Sequence, residues 1–359
     1  MAYSSFCLML LLAVINAWVQ SREPGCALRA EQVLIKMLQH YRNGNKDVKP
    51  NVVSFSTVIN GWAKCSSEEA GAAKRAEKIF NLMLEEYKGG NEDAKPNSIS
   101  YCSLIDACVK SRDRGSLERA EDIYNGIYQN YVGENDDMKP STVLANQIMD
   151  AWSKSGQDCG GEKSEGMLNR LITLYKEYGD AEFKPNDRSF TIVINAYAKS
   201  RRFRKAKKAR EILDQMISAY KDGNSAAKPN VFSFTAVINA CAFTVGDDLE
   251  KNEAMQIAIA AYKLLGVYDS PNHVTYSCFL KACLNLIPKG PSQESALITV
   301  FKKCREHGQV TDMILKLLLR TLTPQQVEKI VGVNGTISIE NIPDDWKFKG
   351  NSAKKQVRP

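Results

Sequence analysis

The usual marks of catalysis are scarce in this sequence. Only three histidines occur in 359 residues, His40, His273 and His307, and they lie far apart. None has the spacing of a metal ligand set, so no metal and no cofactor are expected. The ten cysteines form no Cys-x-x-Cys pair. Without that pair and a His-x-Glu partner, the zinc chemistry of nucleobase deaminases is excluded. No Gly-x-x-x-x-Gly-Lys run is present, which removes the loop that cradles nucleotide phosphates. The chain therefore reads as a non-enzyme with no small-molecule substrate.

Other scarcities bound the class. The cysteines sit mostly in apolar runs such as "DACVK" and "INACAF". That placement suits buried free thiols in a reducing compartment better than a disulfide framework. A reducing compartment would also leave the "NGT" acceptor at Asn334 unglycosylated. With 44% apolar and 25% charged residues, the chain can bury a core. Its net charge of +7 permits a polyanionic partner without demanding one. Length alone suggests about two domains, a rule that fails for repeat proteins.

One long apolar run opens the chain, "SSFCLMLLLAVINAWVQS". The first basic residue, Arg22, follows it, whereas a secretory signal wants positive charge in front. The run is also short for a membrane span. Its end, "AVINAWVQS", aligns with "TVINGWAKC" and "IVINAYAKS" further along. The opening is thus read as the first helix of a repeat, in preference to a signal or anchor.

The repeat is the strongest feature. Lys-Pro-Asn or a close relative recurs with prolines at 50, 96, 140, 185, 229 and 271, spaced 46, 44, 45, 44 and 42 residues apart. A similar block follows each, as in "VVSFSTVINGWAK" and "DRSFTIVINAYAK". Phe55, Val58, Ile59 and Trp62 show the i, i+3, i+4, i+7 stripe of an amphipathic helix. A second periodic run, such as "AAKRAEKIFNLMLEEYK", ends in loops rich in Gly, Asn and Asp. Such helical pairs bury their apolar stripes only by stacking, which predicts an all-α, right-handed α-solenoid. The units expected are an atypical 1–51, then 52–97, 98–141, 142–186, 187–230, 231–272 and 273–312. A capping helix over 313–322 and a partly disordered tail over 323–359 complete the chain.

A second stripe runs along the first helix of each pair. The second place after Pro-Asn holds Val53, Ile99, Val143, Arg188, Phe232 and Val274. The fifth holds Ser56, Cys102, Asn146, Thr191, Thr235 and Ser277. The ninth holds Asn60, Asp106, Asp150, Asn195, Asn239 and Lys281, and the thirteenth holds Lys64, Lys110, Lys154 and Lys199, then Phe243 and Asn285. These spacings share one helix face. A flat base can rest on the apolar side chain, meet the small polar group with its edge, and leave its phosphate to the lysine. The simpler reading is that Asn97, Ser141, Asn186, Asn230, Asn272 and Asp312 are helix caps and the lysines answer the helix dipole. Joint recurrence favours single-stranded RNA. A protein-binding scaffold is the alternative.

Taken together, Lys-Pro-Asn, an apolar pair, an aromatic, a small polar residue and Ile-Asn/Asp-Ala/Gly with a later Lys resemble the pentatricopeptide repeat (PPR) proteins, over about residues 5–320. The resemblance implies sequence-selective RNA binding, one base per repeat, in mitochondrial or plastid RNA processing, stability or translation, with RNA-processing proteins as further partners and no membrane. It also implies that bases are chosen by the fifth residue paired with the last residue of the same repeat. The pairs are Ser56 with Asn97, Cys102 with Ser141, Asn146 with Asn186, Thr191 with Asn230, Thr235 with Asn272, and Ser277 with Asp312. By the family's pattern they read 5′-A-N-Y-A-A-G-3′, where Y is a pyrimidine and Cys102 with Ser141 reads nothing clearly. The units here are longer than the family's, with the excess expected in the turns and loops. In the opening unit Leu12 takes the fifth place, and no organelle presequence precedes it, so the chain is read as a fragment or a late start.

Three further features are assigned to solvent. Asp136-Asp137 and Asp247-Asp248 read as acidic loops. "RRFRKAKKAR" at 201–210 reads as a solvated helix start, with auxiliary phosphate contact as the alternative.

Overall fold

The computed structural model describes residues 2–21, 23–111, 113–133, 138–201, 203–332 and 337–349. Asp136-Asp137, Asn334 and the basic residues after 349 lie outside the described residues. Among those described there are sixteen α-helices. They are α1 (Ala2–Ser21), α2 (Cys26–Arg42), α3 (Val52–Cys65), α4 (Ala72–Lys88), α5 (Ser98–Lys110), α6 (Ser116–Val132), α7 (Thr142–Lys154) and α8 (Gly160–Tyr178). The rest are α9 (Asp187–Lys199), α10 (Lys205–Lys221), α11 (Val231–Ala242), α12 (Asp248–Tyr268), α13 (His273–Leu286), α14 (Pro291–Glu306), α15 (Asp312–Thr321) and α16 (Pro324–Val331). The chain forms two compact units, Met1–Ala151 and Trp152–Pro359.

Five of the pairs begin the same way. Proline cannot continue a helix and biases the residue before it toward extended backbone. The following asparagine then caps. Asn51, Asn97, Asn186, Asn230 and Asn272 all have extended backbone, and each accepts at its side chain the N–H of the residue three further on. That residue is Ser54, Ser100, Ser189, Ser233 or Thr275, whose hydroxyl answers the asparagine N–H and closes a capping box. A cap of this kind contributes about 1 kcal/mol. The second helices α4 and α6 begin after a residue in the left-handed region, Gly71 at φ 80° and Gly115 at φ 81°. Arg204 takes the corresponding place before α10 at φ 59°.

Within unit 1, α1, α3 and α5 pack side by side, with α2 and α4 behind them. Ile15, Val19, Leu34, Phe55, Ile59, Ile79 and Phe80 belong to one continuous core. The opening apolar helix α1 therefore packs as a repeat element. No described helix is long and apolar enough to cross a membrane. Within unit 2, α9, α11, α13 and α15 pack side by side in the same manner. Phe190, Phe234 and Tyr276 are fully buried there, each contributing about 1.5–3 kcal/mol by the usual area relation. A Cβ on Gly161 would sit 2.7 Å from the Tyr197 ring, so glycine lets α8 lie directly against α9.

Lateral ties join neighbouring pairs. Trp62 Nε1 donates to Glu31 at 2.8 Å, and Arg75 reaches the other oxygen of Glu31 at 3.1 Å. The pattern recurs with Arg119 on Glu77, and with Tyr197 and Lys208 on Glu165. The Gly/Asn-rich loops also bind. Asn91 Nδ2 donates to the carbonyl of Pro50 at 2.9 Å, and Asn224 Nδ2 to that of Pro185 at 2.8 Å. Single 3-10 turns at Lys46–Val48, Glu92–Ala94, Ala181–Phe183 and Ser225–Ala227 each bury one side chain before Lys-Pro.

Three expectations change. Asp247 is not a loose acid: its side chain caps α12 by accepting from Glu250 N at 2.8 Å. Lys205 is buried, its ammonium donating to the carbonyls of Ala198 and Ser200 at the end of α9. The segment after Leu322 continues as α16 and then returns, with Val310 N donating to Trp346 O and Phe348 N to Val310 O, both at 2.9 Å. Trp346 packs edge-on to Phe301, and Phe348 stacks on His273 with ring centroids 4.2 Å apart. These aromatic contacts hold residues that the loss of repeat pattern alone left unassigned.

Two outcomes follow from this packing. Glu31→Ala leaves the buried Trp62 N–H unpaired and is expected to cost about 1–3 kcal/mol in urea unfolding. Glu31→Gln keeps an acceptor and is expected to cost clearly less; equal losses would mean that the bond to Trp62 contributes nothing. Burial also pushes the thiols of Cys108, Cys241, Cys283 and Cys304 up to about 12. They stay protonated and non-nucleophilic at pH 8. Mass spectrometry after brief iodoacetamide treatment at that pH should find these four unmodified and Cys7, which is exposed, labelled. Labelling of all five at one rate would contradict the burial.

Candidate nucleic-acid interface

The second-place residues stand out of the surface. Val53 is 53% exposed, Ile99 63% and Phe232 70%, and Val143 and Val274 are exposed as well. Arg188 is exposed too, but as a cation where the others are apolar. Large apolar side chains in water recur here at one place in the repeat, beside polar groups. Lys64, Lys110, Lys154 and Lys199 are exposed in the last turns of α3, α5, α7 and α9. Lys64 Nζ touches Gln20 Oε1 at 3.1 Å, and Lys110 pairs with Asp106 four residues back.

The asparagine caps do not exclude a reading role. Backbone N–H groups only donate, so the capping atom must be the carbonyl oxygen. In Asn97, Oδ1 accepts from Ile99 N and Ser100 N, both at 3.1 Å. Its donor Nδ2 is thereby turned away from the helix. An aspartate at the same place would cap with one oxygen and present the other as an acceptor. The cap thus fixes which chemistry the residue shows outward.

In unit 1 these groups meet. A cavity of about 160 Å³ lies between α3 and α5, lined by Val53, Ser56, Asn60, Asn97 and Ile99, with Thr57 and Ser103 at its side. Thr57 and Ser103 hydroxyls bond back to the carbonyls of Val53 and Ile99 at 2.7 and 2.9 Å. Ser56 is 6% exposed, and its Oγ has no hydrogen-bond partner. The second, fifth and last places of one repeat, and the second of the next, therefore border a single cavity. Only the fifth-place hydroxyl sits deep in it.

Elsewhere the predicted pairs are partly taken up by the protein itself. Thr191 Oγ1 donates to Asp187 O at 2.7 Å, and Asn230 Nδ2 donates to Asp187 Oδ2 at 2.7 Å. Thr235 Oγ1 bonds Thr275 Oγ1 at 2.7 Å. Asn272 Oδ1 caps α13 through Thr275 N at 3.0 Å. Asn146 and Ser277 are buried, Ser141 stands directly before α7, and Asn186 caps α9. Cys102 is half-buried, and burial followed by the Asp106 charge raises its thiol. Asp312 does not cap α15: Thr311 does, accepting from Ile314 N, and Asp312 pairs with Lys316 at 2.6 Å.

Sequence reasoning missed Asp187, whose carboxylate closes the Thr191–Asn230 position. It also missed Thr275, whose third-place hydroxyl holds Thr235. The signal for the second was the Asn-x-x-Ser/Thr recurrence after five of the six repeat prolines. For Asp187 it was an acid at a first place that is otherwise Val52, Ser98, Thr142, Val231 and His273.

Two stretches match family models. Residues 43–111 match the pentatricopeptide repeat domain, and residues 188–220 match the PPR repeat. No curated protein matches the chain at a significant level. The matched stretches include α3 with its cavity and the α9–α10 pair. The chain thus carries pentatricopeptide repeats within an all-α repeat solenoid, and the family of proteins built from such repeats typically binds RNA.

Proposed function

We propose that the chain binds single-stranded RNA through the exposed faces of its first helices, reading bases rather than performing catalysis. The observation that carries the reading is the α3–α5 cavity, where two exposed apolar side chains flank an unpartnered hydroxyl and an outward amide donor. A base placed between Val53 and Ile99 gains apolar contact on its faces. Its edge then meets Ser56 and Asn97. Lysines at the ends of the first helices are placed to neutralise phosphates. By kinship with the family, the setting is mitochondrial or plastid RNA processing, stability or translation.

A second reading, a protein-binding scaffold, draws on other residues. Phe203, Val245 and Leu249 in unit 2 are strongly exposed apolar side chains near the turns before α10 and α12. Salt dependence separates the two. If the four lysines each meet one phosphate, log affinity against log salt should slope by about −3, near −0.7 per contact for a single strand. Lys64→Ala should weaken all RNAs alike and flatten that slope by about 0.7. An affinity for RNA that ignores salt would favour the scaffold.

Asn97→Asp tests base choice. The cap survives, because a carboxylate oxygen accepts from Ile99 N and Ser100 N as the amide does. The outward group changes from donor to acceptor. Preference at one base should move from adenine toward guanine, by on the order of 1–3 kcal/mol if base readout in DNA is a guide. The added charge weakens binding generally, so the ratio of the two RNAs is the quantity to measure. A fixed ratio with both affinities reduced would assign Asn97 to capping alone.

A further inference from the structure

The ninth place of the repeat has no role in the pairs considered so far. In most repeats its polar groups have partners inside the protein. Asp106 binds Lys110 and accepts from Gln147 Nε2 at 3.1 Å. Asn239 Oδ1 faces Cys278 Sγ at 3.6 Å. Lys281 lies 5.9 Å from the Phe243 ring centroid. Asn60 differs. It is half-buried, lines the α3–α5 cavity, and its amide bonds to no described protein atom.

From α3, Val53, Ser56 and Asn60 follow one another at intervals of three and four, so they share a face. The cavity therefore holds three polar side chains with atoms that bond to no described protein atom: the buried Ser56 hydroxyl, the Asn97 Nδ2 donor and the Asn60 amide, the last two open to water. The amide supplies both a donor and an acceptor. The Ser56 hydroxyl and the Asn97 donor can together meet one amine and one ring nitrogen of a base; the Asn60 amide adds a further donor and acceptor. Adenine carries its amine between two ring-nitrogen acceptors, N1 and N7, so three groups can engage it, whereas cytosine carries its amine beside one ring nitrogen.

We propose that the cavity is a preformed single-base pocket and that Asn60 is its third reading residue, contacting the base edge together with Ser56 and Asn97. This rests on the RNA reading above. It adds that base choice is uneven along the chain. The Thr191–Asn230 position is closed by Asp187, and Thr235 is held by Thr275. The Ser56–Asn60–Asn97 pocket stands open among the described residues and accepts an unpaired adenine most readily.

The test uses five labelled 15-nucleotide oligouridylates, with A, G, C, U or an abasic nucleotide at the centre. Their affinities are measured with the full chain and with Asn60→Ala. Alanine is the best helix former, so the substitution leaves α3 intact, which a thermal melt checks. The wild-type chain should prefer the central adenine. In Asn60→Ala the spread between the adenine and uridine strands should shrink at least fivefold, while the abasic strand changes less than twofold. An unchanged spread overturns the role of Asn60 and leaves RNA binding standing. So does an equal loss on all five strands, which would make Asn60 structural. If the wild-type chain binds none of the five, the RNA reading fails and this proposal with it.

Discussion

The hydrogen bond from a backbone N–H to the asparagine before five of the first helices sets the rest of the structure. Asn97 shows why. Its Oδ1 holds the start of α5 through Ile99 N and Ser100 N. That start fixes where the second, fifth and ninth places fall around the helix. Shifting the start by one residue would turn the face by about 100° and carry the second, fifth and ninth places off the exposed side. The same bond leaves Nδ2 as the outward atom. One side chain thus positions the helix and decides what chemistry appears beside it, so capping and recognition are not rival explanations.

Side-by-side packing of the first helices then turns a repeated sequence place into a repeated surface. The residue that neighbours Ser56 across the cavity is Ile99, one repeat away, because α5 lies against α3. Apolar residues at the fourth, seventh, eighth and eleventh places, Phe55, Val58, Ile59 and Trp62, hold that arrangement from behind. Glu31 and Asn91 tie adjacent pairs laterally. Polar ties of this sort keep the spacing between neighbouring second places nearly fixed while those side chains stay in water.

Much of this was legible in the sequence. Prolines about 44 residues apart, with an apolar stripe after each, imply stacked helical pairs, and the helices lie where the pattern put them. The exposed side chains at Val53, Ile99, Val143 and Phe232 follow from their spacing relative to that stripe. What the pattern does not carry is the partner of each polar group. Thr235 and Ser56 look alike along the chain. Yet Thr235 meets Thr275 on the next helix, whereas Ser56 faces a cavity and its hydroxyl has no partner. The reversal of the chain after α16 was also hidden. It depends on Trp346 and Phe348 finding Phe301 and His273, contacts that no repeat specifies. Asp312 misled because it is already the first residue of α15, while Thr311 just before it has the extended backbone that a cap needs.

The central claim is that first-helix faces read unpaired bases. Selection of bound strands from a random single-stranded RNA pool tests it most directly. The account predicts convergence on a short common core containing at least one invariant adenine, with a duplex of the same core retained far more weakly. A selected population as diverse as the starting pool, or equal retention of the duplex, would contradict it.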